Sequence, residues 1–221
     1  KAIRRQRSDV YKRQLRAPLA VIQSKQEALL TKPQATIIDE SEAIATSLGE
    51  TKRLRQLTDD LLTIAKADSN TIEIELTDLR FDQTLAPQLA SYHDIAISQD
   101  KSFTTTIPPK SHAWFDTARI KQLLVILLDN AFKYTQAGDS IWVKVTQTSK
   151  EWQLVVGNSG PSIADADKSR IFERFYREDA SRSRKTGGSG LGLAIARWIV
   201  TIHHGHIAVS YTHLRAHETK A

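Results

Sequence analysis

The sequence predicts an α+β fold made of a two-helix antiparallel hairpin followed by an α/β sandwich. Three observations lead to this prediction. Apolar residues recur every three or four positions in the first third of the chain, and short alternating segments interleave with helical periods further on. Four glycines then lie within positions 187–192, directly before an apolar helical pattern. We expect the sandwich to hold one mixed sheet with helices on a single face.

The predicted hairpin covers residues 15–67. Its first helix places leucines and Ile22 on one face, is interrupted by Pro18 and ends at Pro33. A hairpin by itself buries only one apolar stripe, so we expect a homodimer that completes a four-helix bundle. The second helix follows a pattern close to a heptad seam, formed by Ile44, Leu48, Thr51, Leu54, Leu57, Leu61 and Ile64.

The second predicted domain covers residues 71–207, after a break in periodicity at 68–70. Asp116 is placed to cap a helix that runs to Tyr134, because its side chain can accept a hydrogen bond from the first turn. Strands are predicted at 72–76, 102–107, 141–148, 151–156 and 207–211, and further helices at 81–95, at 168–172 and after the glycines.

Composition narrows the function classes. The 221 residues include no cysteine, which excludes disulfides and thiol chemistry, and no apolar run approaches the length of a membrane span. The net charge of +6 is confined to residues 1–16, which hold seven basic side chains and one acid, so the remainder is neutral. A neutral body lacks the broad basic surface of a nucleic-acid-binding protein, and we expect no such partner.

The glycine-rich run predicts a flap that ends at an anion-binding helix N-terminus. Glycine allows close approach of a ligand to the backbone, and the first turn of a helix offers unpaired N–H groups. Taken alone, the run is equally typical of a mobile loop that caps a helix.

Three further stretches favour a nucleotide site. In 127–135, Asn130, Lys133 and Tyr134 share one side of a helix, and an amide oxygen suits Mg²⁺ that also binds phosphates. The turn at 158–163 offers Asn158 to a base edge. The segment 171–177 is aromatic and basic and opens the flap. Each stretch also has an ordinary structural interpretation as a helix end, core filler or solvated face.

In this order and spacing, the four stretches resemble the N, G1, F and G2 boxes of bacterial sensor histidine kinases. The pattern from Glu50 to Asp68 is similar to the second helix of that family's dimerisation and phosphotransfer domain. The resemblance covers residues 15–207 and implies a Bergerat-type ATP-binding sandwich, with ATP and Mg²⁺ as cofactors. It also implies a response regulator receiver domain as partner, and a cytoplasmic location in a parent anchored upstream in the inner membrane.

The resemblance also implies roles for single residues. Asn130 would hold Mg²⁺, Lys133 and Tyr134 would contact phosphate and nucleotide, and Asn158 would read the adenine amino group. The other expected nucleotide contacts are Gly160, Ile163, Phe172, Gly188, Gly190, Leu191, Gly192 and Leu193, and the candidates for γ-phosphate contact are Arg177, Arg182, Arg184 and Lys185.

The pocket departs from the family pattern at three positions. Ile126 stands where a second asparagine is common, Asn158 replaces the adenine-reading aspartate, and Ser162 replaces a glycine. An amide oxygen still accepts a hydrogen bond from the adenine N–H, but more weakly than a carboxylate does. We therefore expect ATP binding to be retained.

The phosphoacceptor motif departs further. Residues 15–19 match the family's His-Glu-Leu-Arg-x-Pro-Leu pattern, but Arg13 and Gln14 occupy the histidine and glutamate positions. A guanidinium stays protonated and cannot attack phosphorus, and an amide cannot act as the general base. As written, the chain should not phosphorylate itself at the usual residue.

Both ends suggest a cause for this departure. Residues 8–14 and 209–219 resemble translated sequencing adapters, so we interpret 1–14 and 208–221 as non-native scars of a fragment. Two hypotheses follow. The chain is the ATP-binding core of a sensor histidine kinase, or it is a non-catalytic module that dimerises and binds ATP. ATP hydrolysis of the gyrase or HSP90 type is disfavoured, although Asp129 lies next to Asn130.

Overall fold

The computed structural model describes residues 2–69, 73–148, 151–177 and 189–210. The chain divides into two compact units, residues 1–72 and 73–221. Within the described ranges, no helix is both long and apolar enough to cross a membrane.

The first unit consists of α1 (Ala2–Leu30) and α2 (Ser41–Asp68), which pack against each other. The predicted interruption at Pro18 is wrong, because α1 continues through this residue, and α1 ends at Leu30 rather than at Pro33. In the connection, Lys32 and Glu40 form an ion pair at 2.6 Å. The buried residues of α2 are Leu57, Asp60 and Ile64.

The second unit contains five described strands and three α-helices. They are β1 (Thr77–Arg80), α3 (Phe81–Ser98), β2 (Ser102–Thr106), β3 (His112–Phe115), α4 (Thr117–Lys133), β4 (Ser140–Gln147), β5 (Trp152–Asn158) and α5 (Gly192–Ile202).

The strands of the second unit form two sheets rather than the single sheet expected from the sequence. β2, β4 and β5 form a mixed sheet in that order, with β2 parallel and β5 antiparallel to β4. The β1 and β3 strands form a separate antiparallel pair. The predicted strand at 72–76 is wrong, since 73–76 are irregular and β1 begins at Thr77. The strand expected at 207–211 is absent from 207–210, and residue 211 lies outside the described ranges.

An aromatic cluster joins the small sheet to the rest of the unit. Phe81, the first residue of α3, stacks on Phe115 of β3 with ring centroids 4.7 Å apart. Phe81 also meets Trp152 of β5 at 4.6 Å, and neither phenylalanine is exposed to solvent. Burial of such large rings contributes strongly to stability, so this cluster fixes β3 at the start of α4.

The main core lies beneath one face of the mixed sheet. On β4 the alternate residues Ile141, Val143 and Val145 are buried, as the two-residue period of a strand requires. α3 packs on β2 and α4 packs on β5, while α5 lies on α4. The amphipathic pattern of α4 therefore faces inward through its buried residues Ile120, Leu123, Leu124, Leu128, Ala131 and Phe132.

His203 joins the end of α5 to the beginning of α4. Its Nδ1 donates to the carbonyl of Ile199 at 2.8 Å, and its Nε2 accepts from the main-chain N–H of Asp116 at 3.0 Å. This pair of contacts requires a neutral ring with its proton on Nδ1.

α5 ends in a Schellman turn that places His204 in the left-handed region, with φ of 58°. The N–H of Gly205 donates to Val200 O and that of His204 donates to Thr201 O. Because a side chain is disfavoured at this φ, we expect His204→Gly to raise the free energy of unfolding by about 1 kcal/mol. Urea denaturation measures the change. His206 has no positive φ, so His206→Gly is the control, and an equal gain there would contradict the explanation.

Candidate functional site

The last turn of α4 carries three of the predicted site residues on a firmly held backbone. At the start of the helix, the Asp116 carboxylate accepts from Arg119 N at 3.1 Å, which confirms the predicted cap. At the other end, Lys101 Nζ donates to Phe132 O at 2.8 Å, and the buried Thr135 hydroxyl also donates to this carbonyl. The carbonyl of Phe132, one of those left without a partner inside the helix, is thereby satisfied.

Asn130, Lys133 and Tyr134 lie together in this turn. The carbonyl of Asn130 accepts from Tyr134 N at 3.1 Å, and Lys133 Nζ lies 5.3 Å from the centre of the Tyr134 ring. Tyr134 is 49% exposed, whereas Asn130 and Lys133 are half-buried. The turn therefore presents an amide, an ammonium group and an aromatic ring at a partly open surface.

Asp129, the neighbour of Asn130, is held by a residue of α3. The buried Tyr92 hydroxyl donates to its carboxylate at 2.5 Å. Burial raises the pKa of Tyr92 well above its usual range, and the hydrogen bond to Asp129 raises it further. The Asp129 carboxylate thus serves to join α4 to α3. This contact gives no support to a role for Asp129 as the general base of ATP hydrolysis.

The turn after β5 packs directly against the end of α4. A Cβ on Gly160 would lie 2.1 Å from the carbonyl oxygen of Tyr134 and 2.8 Å from Asn158 Nδ2, so no side chain fits there. Asn158 is the last residue of β5 and is half-buried. This close approach brings Asn158 to the same end of α4 that carries Asn130.

The aromatic–basic segment holds the described end of the glycine-rich run. Phe172 is buried within a 3-10 helix, Arg170–Phe172, and Phe175 N donates to Gly190 O at 2.8 Å. Phe175 and Gly190 both have positive φ, 66° and 69°. A Cβ on Gly190 would lie 2.9 Å from Phe175 Cα, so the glycine is required by its φ and by this contact.

The beginning of α5 then packs on α4. Leu191 is fully buried, and its N–H donates to Ser189 Oγ at 3.2 Å. A Cβ on Gly192 would lie 3.3 Å from Ile126 Cγ2, so the glycine allows close packing of the two helices. Ile163, Arg177 and Leu193 are half-buried. Gly188, Arg182, Arg184 and Lys185 lie outside the described residues.

The described parts of the four stretches are therefore linked in two pairs, and α4 joins the pairs through Ile126, one residue before the stretch 127–135. The turn at Gly160 touches Tyr134, the start of α5 touches Ile126, and Phe175 touches Gly190. A groove of about 440 Å³ between α3 and β2 lies elsewhere and shares no lining residue with the predicted set.

The donor set fits a magnesium ion only in combination with phosphate oxygens. Across the described ranges, no group of three His, Asp or Glu side chains could hold a metal ion. Mg²⁺ commonly takes one or two protein oxygens and completes its shell with substrate phosphates and waters. A single half-buried amide such as Asn130 matches that mode.

Comparison with known proteins gives the class. Residues 115–220 match the family described as histidine kinase-, DNA gyrase B-, and HSP90-like ATPase. The second unit thus carries an ATPase domain of this class. The match extends into the segment 208–221, whose origin stays a prediction.

Two relatives narrow the class. The chain is 39% identical over 199 residues to Sensor protein CiaH of Streptococcus pneumoniae, covering 89% of this chain and 44% of the relative. It is 30% identical to the signal transduction histidine-protein kinase BaeS of Escherichia coli, covering 90% and 42%. The chain spans less than half the length of these relatives. These relatives are sensor proteins, and the chain contains the histidine kinase ATPase domain of two-component sensors.

Solved structures agree on the fold. The histidine kinase AdeS of Acinetobacter baumannii matches with a TM-score of 0.69 at 22% identity, over 85% of each chain. Full-length ShkA in complex with AMPPNP matches at 0.68 and 22%, over 88% of this chain and 43% of that one. ThkA in complex with the response regulator TrrA matches at 0.68 and 21%, over 90% and 55%.

Sequence reasoning misses the residues that hold the site together. It does not single out Tyr92, because the contact of Tyr92 with Asp129 joins positions far apart in sequence. It does not single out Asp139, although an aspartate directly after a glycine is a typical turn residue. The hydrogen bonds of Asp139 to Gln136 N and to the Ser159 hydroxyl hold its pKa below the usual range.

We expect Gly190→Ala to weaken Mg-ATP binding by at least about tenfold, because the methyl group clashes with the Phe175 backbone at an unfavourable φ. Isothermal titration calorimetry measures the affinity. Gly49→Ala is the matched control, since Gly49 lies in α2 and a Cβ added there would meet nothing within 4 Å. It should leave binding unchanged and stabilise the helix. Equal affinities for the two variants would contradict the assigned role of Gly190.

Proposed function

We propose that the chain is the ATP-binding kinase core of a two-component sensor histidine kinase. The observation that carries the proposal is a series of contacts that leads to α4. The turn at Gly160 packs on Tyr134 O, Gly192 of α5 packs on Ile126 of α4, and Phe175 bonds to Gly190 just before α5. This arrangement supports one nucleotide pocket, bounded by Asn130 on one side and Asn158 on another. The whole protein's activity would be transfer of the γ-phosphoryl group to a histidine and then to a response regulator.

Each residue has a definite task in this pocket. The Asn130 amide oxygen would bind Mg²⁺, and the Lys133 ammonium would offset phosphate charge. The amide of Asn158 would pair with the adenine amino group, while Gly160 lets the turn that carries Asn158 approach the end of α4. Mg-ATP, when bound, supplies the phosphoryl group and the charge neutralisation that phosphoryl transfer requires. Gly190, Leu191 and Gly192 would place main-chain N–H groups near the phosphates.

The hairpin supports a dimeric assembly. Several large apolar side chains on α1 and α2 stay exposed in the single chain, including Leu19 at 52%, Leu48 at 53% and Leu62 at 59%. Exposed apolar surface of this extent on paired helices is typical of an unfilled helix–helix interface. We infer a homodimer through the hairpin, a response regulator receiver domain as partner, and a membrane-anchored parent whose kinase portion is cytoplasmic.

Arg13 and Gln14 limit what this chain itself can do. Both lie within α1, at the positions where the family has its acceptor histidine and the adjoining glutamate. A guanidinium offers no free electron pair for attack on phosphorus. We therefore infer a chain that binds Mg-ATP and is defective in autophosphorylation. The alternative is a non-catalytic ATP-binding dimeric module.

We expect Mg-ATP to bind with a dissociation constant between about 1 μM and 1 mM. Asn130→Ala should reduce the affinity at least about tenfold with Mg²⁺ present and much less with EDTA, since the amide acts through the metal. Asp94→Ala, which removes an exposed carboxylate of α3, is the control. No ATP binding by the unaltered chain would refute the proposed function.

Phosphoryl transfer in trans separates the two candidate functions. The acceptor is the same chain carrying Arg13→His and Gln14→Glu, together with Asn130→Ala to disable its own pocket. Mixed with the unaltered chain and γ-labelled ATP, it should become labelled if the pocket is catalytic. The acceptor alone is the control. An unlabelled acceptor in a mixture that binds ATP would favour the non-catalytic module.

A further inference from the structure

A small polar network lies behind the turn that carries Asn158. One carboxylate oxygen of Asp139 accepts from the main-chain N–H of Gln136 at 2.7 Å, and the other accepts from the Ser159 hydroxyl at 3.0 Å. Asp139 thus joins the loop that follows α4 to the turn that follows β5. A carboxylate with two such donors is held in one orientation.

Ser159 is fixed from a second direction by the first residue of β4. Its hydroxyl accepts from Ser140 N at 2.9 Å, and its own N–H donates to Ser140 O at 2.9 Å. The next pair along the two strands is Ile141 and Asn158. The hydroxyl and the main-chain N–H of Ser159 are therefore both engaged, by Ser140 of β4 and by Asp139.

The position of Ser159 in the chain explains how this network can affect the proposed adenine contact. Ser159 lies between Asn158, the proposed adenine contact, and Gly160, which packs against Tyr134 O with no room for a side chain. A small displacement of Ser159 would move the Asn158 amide and disturb the contact of Gly160 with Tyr134 O. We propose that Asp139 is a positioning residue that acts through Ser159 to fix the base-recognising turn. This inference rests on the proposed function, because it concerns the base end of the same pocket.

The network concerns the base end of the proposed pocket and not the end that would bind phosphate and Mg²⁺. Asn130 and Lys133 are positioned by α4 and by the Thr135 hydroxyl at Phe132 O, which involve neither Asp139 nor Ser159. Lys101, the second cap of that carbonyl, also interacts with Asp139, so Ser159→Ala is the cleaner test of this independence. Loss of the network should therefore weaken recognition of the base and leave recognition of phosphate and Mg²⁺ intact. A general structural role would weaken both.

The test uses Asp139→Ala, Ser159→Ala and the double variant, with Asp94→Ala as the matched exposed-carboxylate control. Calorimetry measures the affinities for Mg-ATP, Mg-GTP and Mg-tripolyphosphate, which lacks a base. Each single variant should lose about tenfold in ATP affinity and part of its preference over GTP. Tripolyphosphate affinity should change less than about twofold. The double variant should lose no more ATP affinity than the more strongly affected single variant, since the two residues act in series.

The outcomes are distinct. Unchanged ATP affinity, equal losses for ATP and tripolyphosphate, or additive losses in the double variant would each overturn the inference while leaving the proposed function intact. If Asp139→Ala does not fold, as thermal denaturation would show, Ser159→Ala tests the same link with a milder change. Failure of the unaltered chain to bind ATP would overturn the proposed function, and the inference with it.

Discussion

The contact between Gly160 and the carbonyl of Tyr134 is the constraint on which the rest of the candidate site depends. It brings the end of β5 against the end of α4 at backbone distance, so that Asn158 lies at the end of α4 that carries Asn130. Only a residue without a Cβ permits this approach. The caps at Phe132 O and the Tyr92–Asp129 hydrogen bond then hold the helix end in place.

At the glycine-rich side of the candidate site, backbone conformation matters as well as side-chain contact. Phe175 and Gly190 both adopt positive φ, and a main-chain hydrogen bond joins them. A bulky residue in this region is strained, and such strain persists only where the surrounding structure compensates for it. Here the neighbouring residues stabilise the strained backbone, since Leu191 is fully buried and Gly192 packs on Ile126.

The long elements are predictable from the sequence because their periodicity is strong. The structure confirms α4 with its Asp116 cap, the strands β4 and β5, and the regions of α3, β2 and α5. Short elements are not predictable in this way. Strands β1 and β3 have four residues each, too few to show alternation, and their pairing is fixed by the burial of Phe115 against Phe81. A proline such as Pro18 is expected to break a helix, yet α1 continues through it.

By itself, the sequence determined the fold class, the positions of the long helices and the four stretches that identify a histidine kinase ATPase domain. Periodicity, glycines and polar side chains are local properties. Only the tertiary structure decided how those stretches meet. Asp139 meets Ser159 across 20 positions of sequence and Tyr92 meets Asp129 across 37, while Gly160 meets Tyr134 across the whole β4–β5 hairpin. Such pairings arise from packing in three dimensions, which no local pattern encodes.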